Sequence, residues 1–254
     1  MSDDVELVGL YWTTSGPVVV HFGREWSLFD WADRCAAARE VGFAGLGIWH
    51  ADLEHLLETR TLGELKEIFD NNGLRHIELE FLMDWFVDPG DERRVASDRM
   101  RALLLEAAES TDATVVYELM PFDVNVRSVD AALEVVNGTK GGIAIDTWHM
   151  SKLGIEPDEL HRIPVEQLSW VELSDGFSED MEDAVDETIN HRRLPGEGEF
   201  DVRAYVEAAR DHGYAGPWGV EVLSEELRNN PIDVIFRRAY DATAAQFGHE
   251  RSSA

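Results

Sequence analysis

Four acidic residues stand at matching places in four consecutive β-prone runs: Glu118, Asp146, Glu172 and Glu221. Successive side chains on a strand point to opposite faces, so each run sorts into two sides. In the first, Val115, Tyr117 and Leu119 oppose Val116 and Glu118; in the second, Ile143 and Ile145 oppose Ala144 and Asp146. In the third, Val171 and Leu173 oppose Trp170 and Glu172; in the fourth, Val220 and Val222 oppose Gly219 and Glu221. Each run thus has an apolar face suited to lie under helices and a second face that ends in a carboxylate at the C-terminal end. Ionised groups are rarely buried without a partner, so four aligned strand-end acids read as a shared site rather than as stray surface charge. They would repel one another without a cation, and ligation by oxygen alone suits one hard divalent ion, Mn2+ or Mg2+. Such an ion polarises a carbonyl or hydroxyl oxygen while an ionised Glu takes a proton from the adjacent carbon. Two Glu on opposite sides of a bound sugar can remove and return that proton, giving isomerisation or epimerisation through an enediolate.

The elements that must position these residues follow from periodicity. Short apolar runs cover Glu6 to Thr13, Phe43 to Trp49, Leu74 to Leu82, Ala113 to Met120, Gly141 to Trp148, Glu166 to Leu173 and Trp218 to Leu223. Between them, helical spacing covers Leu28 to Val41, Thr61 to Asn72, Glu92 to Glu109, Ser128 to Val136 and Asp201 to His212. That alternation predicts βα units and a parallel sheet, whose strand C-termini carry the active site when the sheet closes into a barrel. No Pro/Gly/Ser-rich linker divides the chain, and residues 1–254 read as one domain. A closed (β/α)8 barrel needs eight strands, whereas the runs number seven.

Composition limits the partners. The chain has 254 residues, 44% of them apolar, enough for one core of this size. Its 51 Asp and Glu against 22 Lys and Arg give a formal charge of −29, so no basic face is available for nucleic acid. The acids occur in every segment, and only Lys66, Lys140 and Lys152 among the basic residues are Lys. Acid spread over periodic apolar segments predicts a folded protein with an acidic, salt-adapted surface of halophilic type. Cys35 is the sole cysteine, which excludes an internal disulfide and a Cys-based zinc site. Met1 to Glu6 lacks the pattern of a signal peptide and no stretch is long enough to span a membrane, giving the expectation of a cytoplasmic protein without membrane partners.

The segments Val115 to Phe122, Ile145 to His149, Val171 to Gly176, Leu194 to Glu199 and Gly213 to Val222 together resemble the xylose isomerase-like TIM-barrel superfamily, in its sugar phosphate isomerase/epimerase branch. Gly45 to Leu53 and Glu78 to Leu82 are similar to that branch's second and third strands, so the resemblance covers nearly the whole chain. It implies a divalent-metal-dependent isomerase or epimerase acting on a sugar or sugar phosphate, with an inosose-type dehydratase acting on a polyol or a non-catalytic sugar or metal binder as alternatives and a homo-oligomer left open. It also implies that Glu118 and Glu221 are both metal ligands and the acid/base pair, that Asp146 is a third ligand, and that His149 holds a substrate hydroxyl. Arg193, before Pro195, would meet substrate oxygens or a phosphate. Glu172 departs from the pattern, standing where relatives carry His or Gln; it is expected as a fourth ligand, with a protonated carboxyl, a pairing with Arg193 or a place outside the ligand set as alternatives. His50, Asp52 and Glu80 are expected at the mouth, His50 and Glu80 as substrate-binding residues, with Trp12 and Trp85 as pocket walls or core residues and Asp175 to Glu199 as a mobile cover. Relatives carry a further βα unit before the strand bearing the first Glu; here about one unit is expected to be missing near Ser110.

Overall fold

The computed structural model describes residues 5–20, 23–80, 90–95, 97–99 and 113–248. Every β-prone run contains a strand: β1 Leu7–Gly9, β2 Gly45–Trp49, β3 His76–Glu80, β4 Val116–Glu118, β5 Gly142–Asp146, β6 Leu168–Leu173 and β7 Trp218–Val220. Hydrogen bonding orders these seven parallel strands β3-β2-β1-β7-β6-β5-β4, with β3 and β4 at the edges. Among the described residues the strands and their helices make a TIM-type barrel short of one unit, as the count of runs predicts. The expected helix Glu92 to Glu109 lies largely outside the described residues, as do Trp85 and Ser110. No helix among the described residues is long and apolar enough to cross a membrane.

The chain divides into two compact units, the first comprising Met1–Glu80, Glu172–Arg203 and Pro217–Ala254, the second Phe81–Val171 and Ala204–Gly216. In the first, β1 pairs with β2 (Val8 opposite Gly45) and with β7 (Val8 opposite Gly219), and β2 pairs with β3 along its whole length. All five residues of β2 are buried, as an inner strand covered on both faces should be. Helix α1 (Tyr11–Thr14) follows β1, α2 (Trp31–Val41) precedes β2, and α3 (His50–Leu57) and α4 (Leu62–Asn71) lead to β3. Asp30 caps α2 by accepting a hydrogen bond from Ala32 N at 2.9 Å. Against α2 lies a buried ion pair, Arg34 Nη2 to Asp52 Oδ2 at 2.6 Å, whose carboxylate also accepts from Ser27 N at 2.9 Å. Asp52, expected at the mouth, is thereby committed to holding α2 to α3.

In the second unit β4 pairs with β5, Tyr117 opposite Ile143, and Ile143 N donates to Gln167 O at the foot of β6. Helix α5 (Val129–Val136) starts at Ser128, which accepts from Ala131 N, and α6 (Thr147–Leu153) starts directly at the end of β5. The run expected as strand through Trp148 stops at Asp146 because that residue's own carboxylate turns back to Trp148 N at 2.7 Å and begins the helix.

Candidate functional site

In the second unit three sequence-predicted residues come together. Glu118 is the last residue of β4 and Asp146 the last of β5. His149 lies in the first turn of α6, three residues past Asp146, which places the two on one face of the turn. Its Nδ1 is 2.9 Å from Glu118 Oε1 and its Nε2 is 3.9 Å from Asp146 Oδ2. One ligand atom from each of the three residues lies within 4.8 Å of the others. Asp146 Oδ1 is engaged in capping α6, which leaves Oδ2 as the oxygen facing His149. The imidazole is fully buried and meets Trp148 and Phe122 edge-to-face, at 5.6 and 6.5 Å between ring centres. Among the described residues Glu118 Oε1 is buried and accepts no hydrogen bond.

The first unit carries a second pair. Glu172, near the end of β6, and Glu221, immediately after β7, are buried with carboxylate oxygens within 4.8 Å of each other. Glu221 N donates to Leu173 O at 3.3 Å, tying the two strand ends. A guanidinium meets this pair, and it belongs to Arg192. Arg192 Nη1 is 3.1 Å from Glu221 Oε2, while Nε donates to Thr188 O and Nη2 to Thr188 Oγ1 on α7 (Ala184–Asn190). Arg193, the residue expected from sequence, sends its guanidinium over the Phe177 ring, 5.3 Å from the ring centre. Its place before Pro195-Gly-Glu-Gly made Arg193 visible in sequence, but only the backbone direction decides which of the two arginines turns to Glu221.

The softer expectations separate from these groups. His50 opens α3 with its ring 4.2 Å from Trp49, which in turn packs on Trp12 at 5.2 Å. Trp12 is a buried core residue there. Glu80 ends β3 on the face it shares with His76 and Glu78. Among the described residues neither His50 nor Glu80 falls in a group of three or more ligand atoms. The segment Asp175 to Glu199, expected as a cover, carries α7, is closed on itself by the pair Asp175–Arg193 and is tied to the stretch after β7 by the pair His191–Ser224.

The carboxylates within each pair repel one another when ionised, a repulsion that the Arg192 guanidinium offsets at Glu221, and the donor oxygens suit a divalent metal. The family model for the xylose isomerase-like TIM barrel matches residues 83–240. A 3-dehydroshikimate dehydratase of Pseudomonas putida is 25% identical over 145 residues, 56% of this chain but 22% of that protein. The chain therefore spans about a fifth of the length of the curated relatives it matches. Among solved structures, the IOLI protein with a bound zinc atom superposes with a TM-score of 0.71 at 17% identity, covering 95% of this chain and 97% of that one. D-allulose 3-epimerase from Methylomonas sp., in complex with D-allulose, superposes with a TM-score of 0.67 at 15% identity, with the same coverage of both chains.

Proposed function

The chain belongs to the xylose isomerase-like TIM barrel family, and from that premise we propose that it is a divalent-metal-dependent enzyme moving a proton on the carbon beside a sugar or polyol carbonyl. The carrying observation is the buried Glu118 Oε1, which among the described residues accepts no hydrogen bond, next to Asp146 and His149 at the ends of two neighbouring strands. Glu118 and Asp146 end β4 and β5, Glu172 lies one residue before the end of β6 and Glu221 follows β7; these strands are consecutive in the sheet, and the four residues would hold one ion. Oxygen-only donors favour Mn2+ or Mg2+. Four ionised carboxylates leave the set about two charges negative around a divalent ion, and the Arg192 guanidinium beside Glu221 brings it to about one. When bound, the ion polarises the substrate's carbonyl oxygen and so acidifies the neighbouring C–H.

Glu118 and Glu221 are the acid/base pair in this reading. One takes the proton from the carbon and the other returns a proton on the opposite side, which inverts the centre and gives an epimer. His149, whose Nδ1 lies 2.9 Å from Glu118 Oε1, offers its ring to a substrate hydroxyl in this reading. A second outcome starts from the same step: after proton removal, loss of a hydroxyl as water gives a dehydration. The curated relatives named as dehydratases favour it. The likeness to an epimerase holding D-allulose favours the first as a description of the substrate class, a small polyhydroxylated carbonyl compound.

The test is turnover of ketohexoses, keto-inositols and 3-dehydroshikimate by Mn2+-loaded protein, with products identified. Glu118→Gln and Glu221→Gln are each expected to lower kcat by roughly 10²–10⁴-fold on whichever substrate reacts. Rearranged product selects the epimerase and released water the dehydratase. Equal turnover by both variants at parental metal content would overturn the assignment, and binding of Mn2+ and sugar without turnover would leave a binder.

A further inference from the structure

We propose that Asp175 is a positioning residue for this site: its buried carboxylate clasps residues 196–200 and thereby fixes Arg192, rather than Arg193, against Glu221. The inference rests on the reading of Glu221 as a site carboxylate. Asp175 has no solvent exposure. Its Oδ1 accepts hydrogen bonds from Gly176 N at 2.7 Å and Phe200 N at 3.0 Å, and its Oδ2 from Gly196 N at 2.9 Å and Gly198 N at 3.0 Å. Four N–H donors answer the four lone-pair sites of an ionised carboxylate, and charge-assisted bonds of this kind are the stronger ones.

The loop is shaped for that carboxylate. Gly196 has φ +88°, in the left-handed region, and a Cβ on Gly198 would lie 2.3 Å from both Asp175 Oδ1 and Gly176 O. The Pro195-Gly-Glu-Gly segment therefore wraps an internal anion. Gly-rich loops that bind phosphate turn such N–H groups outward to a ligand; here the N–H groups of Gly196 and Gly198 are already engaged.

The clasp reaches the site through the backbone. Arg193 N donates to Asp175 O at 2.8 Å and Asp175 N to Arg193 O at 2.9 Å. Arg192 N donates to Leu223 O at 3.2 Å, and His191 pairs with Ser224. Residues 191–193 are thus pinned on one side to the stretch three residues past Glu172 and on the other to the stretch two and three past Glu221. In extended chain, neighbouring side chains point to opposite sides, so this register turns Arg192 to Glu221 and Arg193 to Phe177. A slip of one residue would exchange them.

The test is a double-mutant cycle on Mn2+ affinity, read by calorimetry without substrate. In Arg192→Gln no guanidinium competes for Glu221, and Mn2+ is expected to bind on the order of tenfold more tightly. Asp175→Asn should shift affinity at least threefold in the same direction, and the double variant should match Arg192→Gln within twofold. Gly198→Ala, which pushes the clasp apart from the loop side, should reproduce Asp175→Asn. A lowered Tm with parental Mn2+ affinity, or shifts that multiply in the double variant, would overturn the proposal. Hydrogen exchange of metal-free protein decides separately from the metal reading. The Arg192 and Arg193 amides should exchange at least tenfold faster in Asp175→Asn and Gly198→Ala, and parental protection would overturn the clasp even if no variant binds Mn2+.

Discussion

Glu172 is the residue whose chemistry most distinguishes this chain from the pattern it resembles, since a carboxylate stands where a neutral His or Gln is expected. It is buried beside Glu221, and the Arg192 guanidinium lies 3.1 Å from Oε2 of that neighbour. Removing one of four carboxylates lowers attraction for a cation but leaves an amide oxygen able to ligate. Glu172→Gln should therefore retain one Mn2+ per chain with roughly tenfold weaker affinity, about 1.4 kcal/mol. Metal analysis and titration check this, and unchanged affinity would remove Glu172 from the ligand set. The candidate acids were legible in sequence because parity on a strand is a two-state property and each acid opposed an apolar face. The choice between Arg192 and Arg193 was not legible, because it depends on backbone pairs to Asp175 and Leu223, residues distant in sequence. Asp52 misled for a related reason: a polar residue after a strand suggests a mouth, but its partner, Arg34, sits 18 positions away on α2.

At the scale of elements, caps decide where helices begin, and α4 offers the clearest case. Thr61 Oγ1 accepts from Glu64 N at 3.2 Å, and Glu64 Oε2 accepts from Thr61 N at 2.7 Å, completing a reciprocal capping box. The Thr61 N–H, and after it the Thr61 hydroxyl, holds the Glu64 carboxyl below its ordinary pKa. Because that folded-state value is depressed, the stabilisation is present above the ordinary glutamate range and is lost as pH falls through the folded value. Thr61→Ala should cost about 1 kcal/mol at neutral pH, a Tm decrease of roughly 2–4 °C. The difference between variant and parent should narrow at pH 3; thermal melts at both pH values measure it, and an equal difference would show that the carboxylate takes no part. Helical spacing made α2, α4 and α5 readable. The short helices α3 and α6 were not, because each begins at or one residue after a strand's last residue and its apolar side chains continue the strand's hydrophobic run. In α6 the decisive event is Asp146 capping its own successor, an interaction that periodicity does not register.

At the scale of the whole molecule, the formal charge of −29 sets how stability responds to salt. Two effects oppose each other. Salt weakens exposed ion pairs such as Lys66–Asp70 and Arg60–Asp30, each worth about 0–1 kcal/mol. It also screens repulsion among 51 acids that face only 22 basic residues, so that most acids have no opposite charge to answer them. The second effect involves far more charges and prevails, so added potassium chloride should stabilise the fold. The shape of the response identifies the cause. The Debye length falls from roughly 30 Å at 0.01 M to 10 Å at 0.1 M and 3 Å at 1 M, so screening acts mainly in the first few hundred millimolar. A solute that stabilises by exclusion from the surface acts in proportion to its concentration instead. Tm measured from 0.01 to 3 M potassium chloride should therefore rise by several degrees, with most of the gain below about 0.5 M. A Tm equal in dilute buffer and in molar salt would refute a salt-adapted surface, and a strictly linear rise would assign the stabilisation to exclusion rather than to charge.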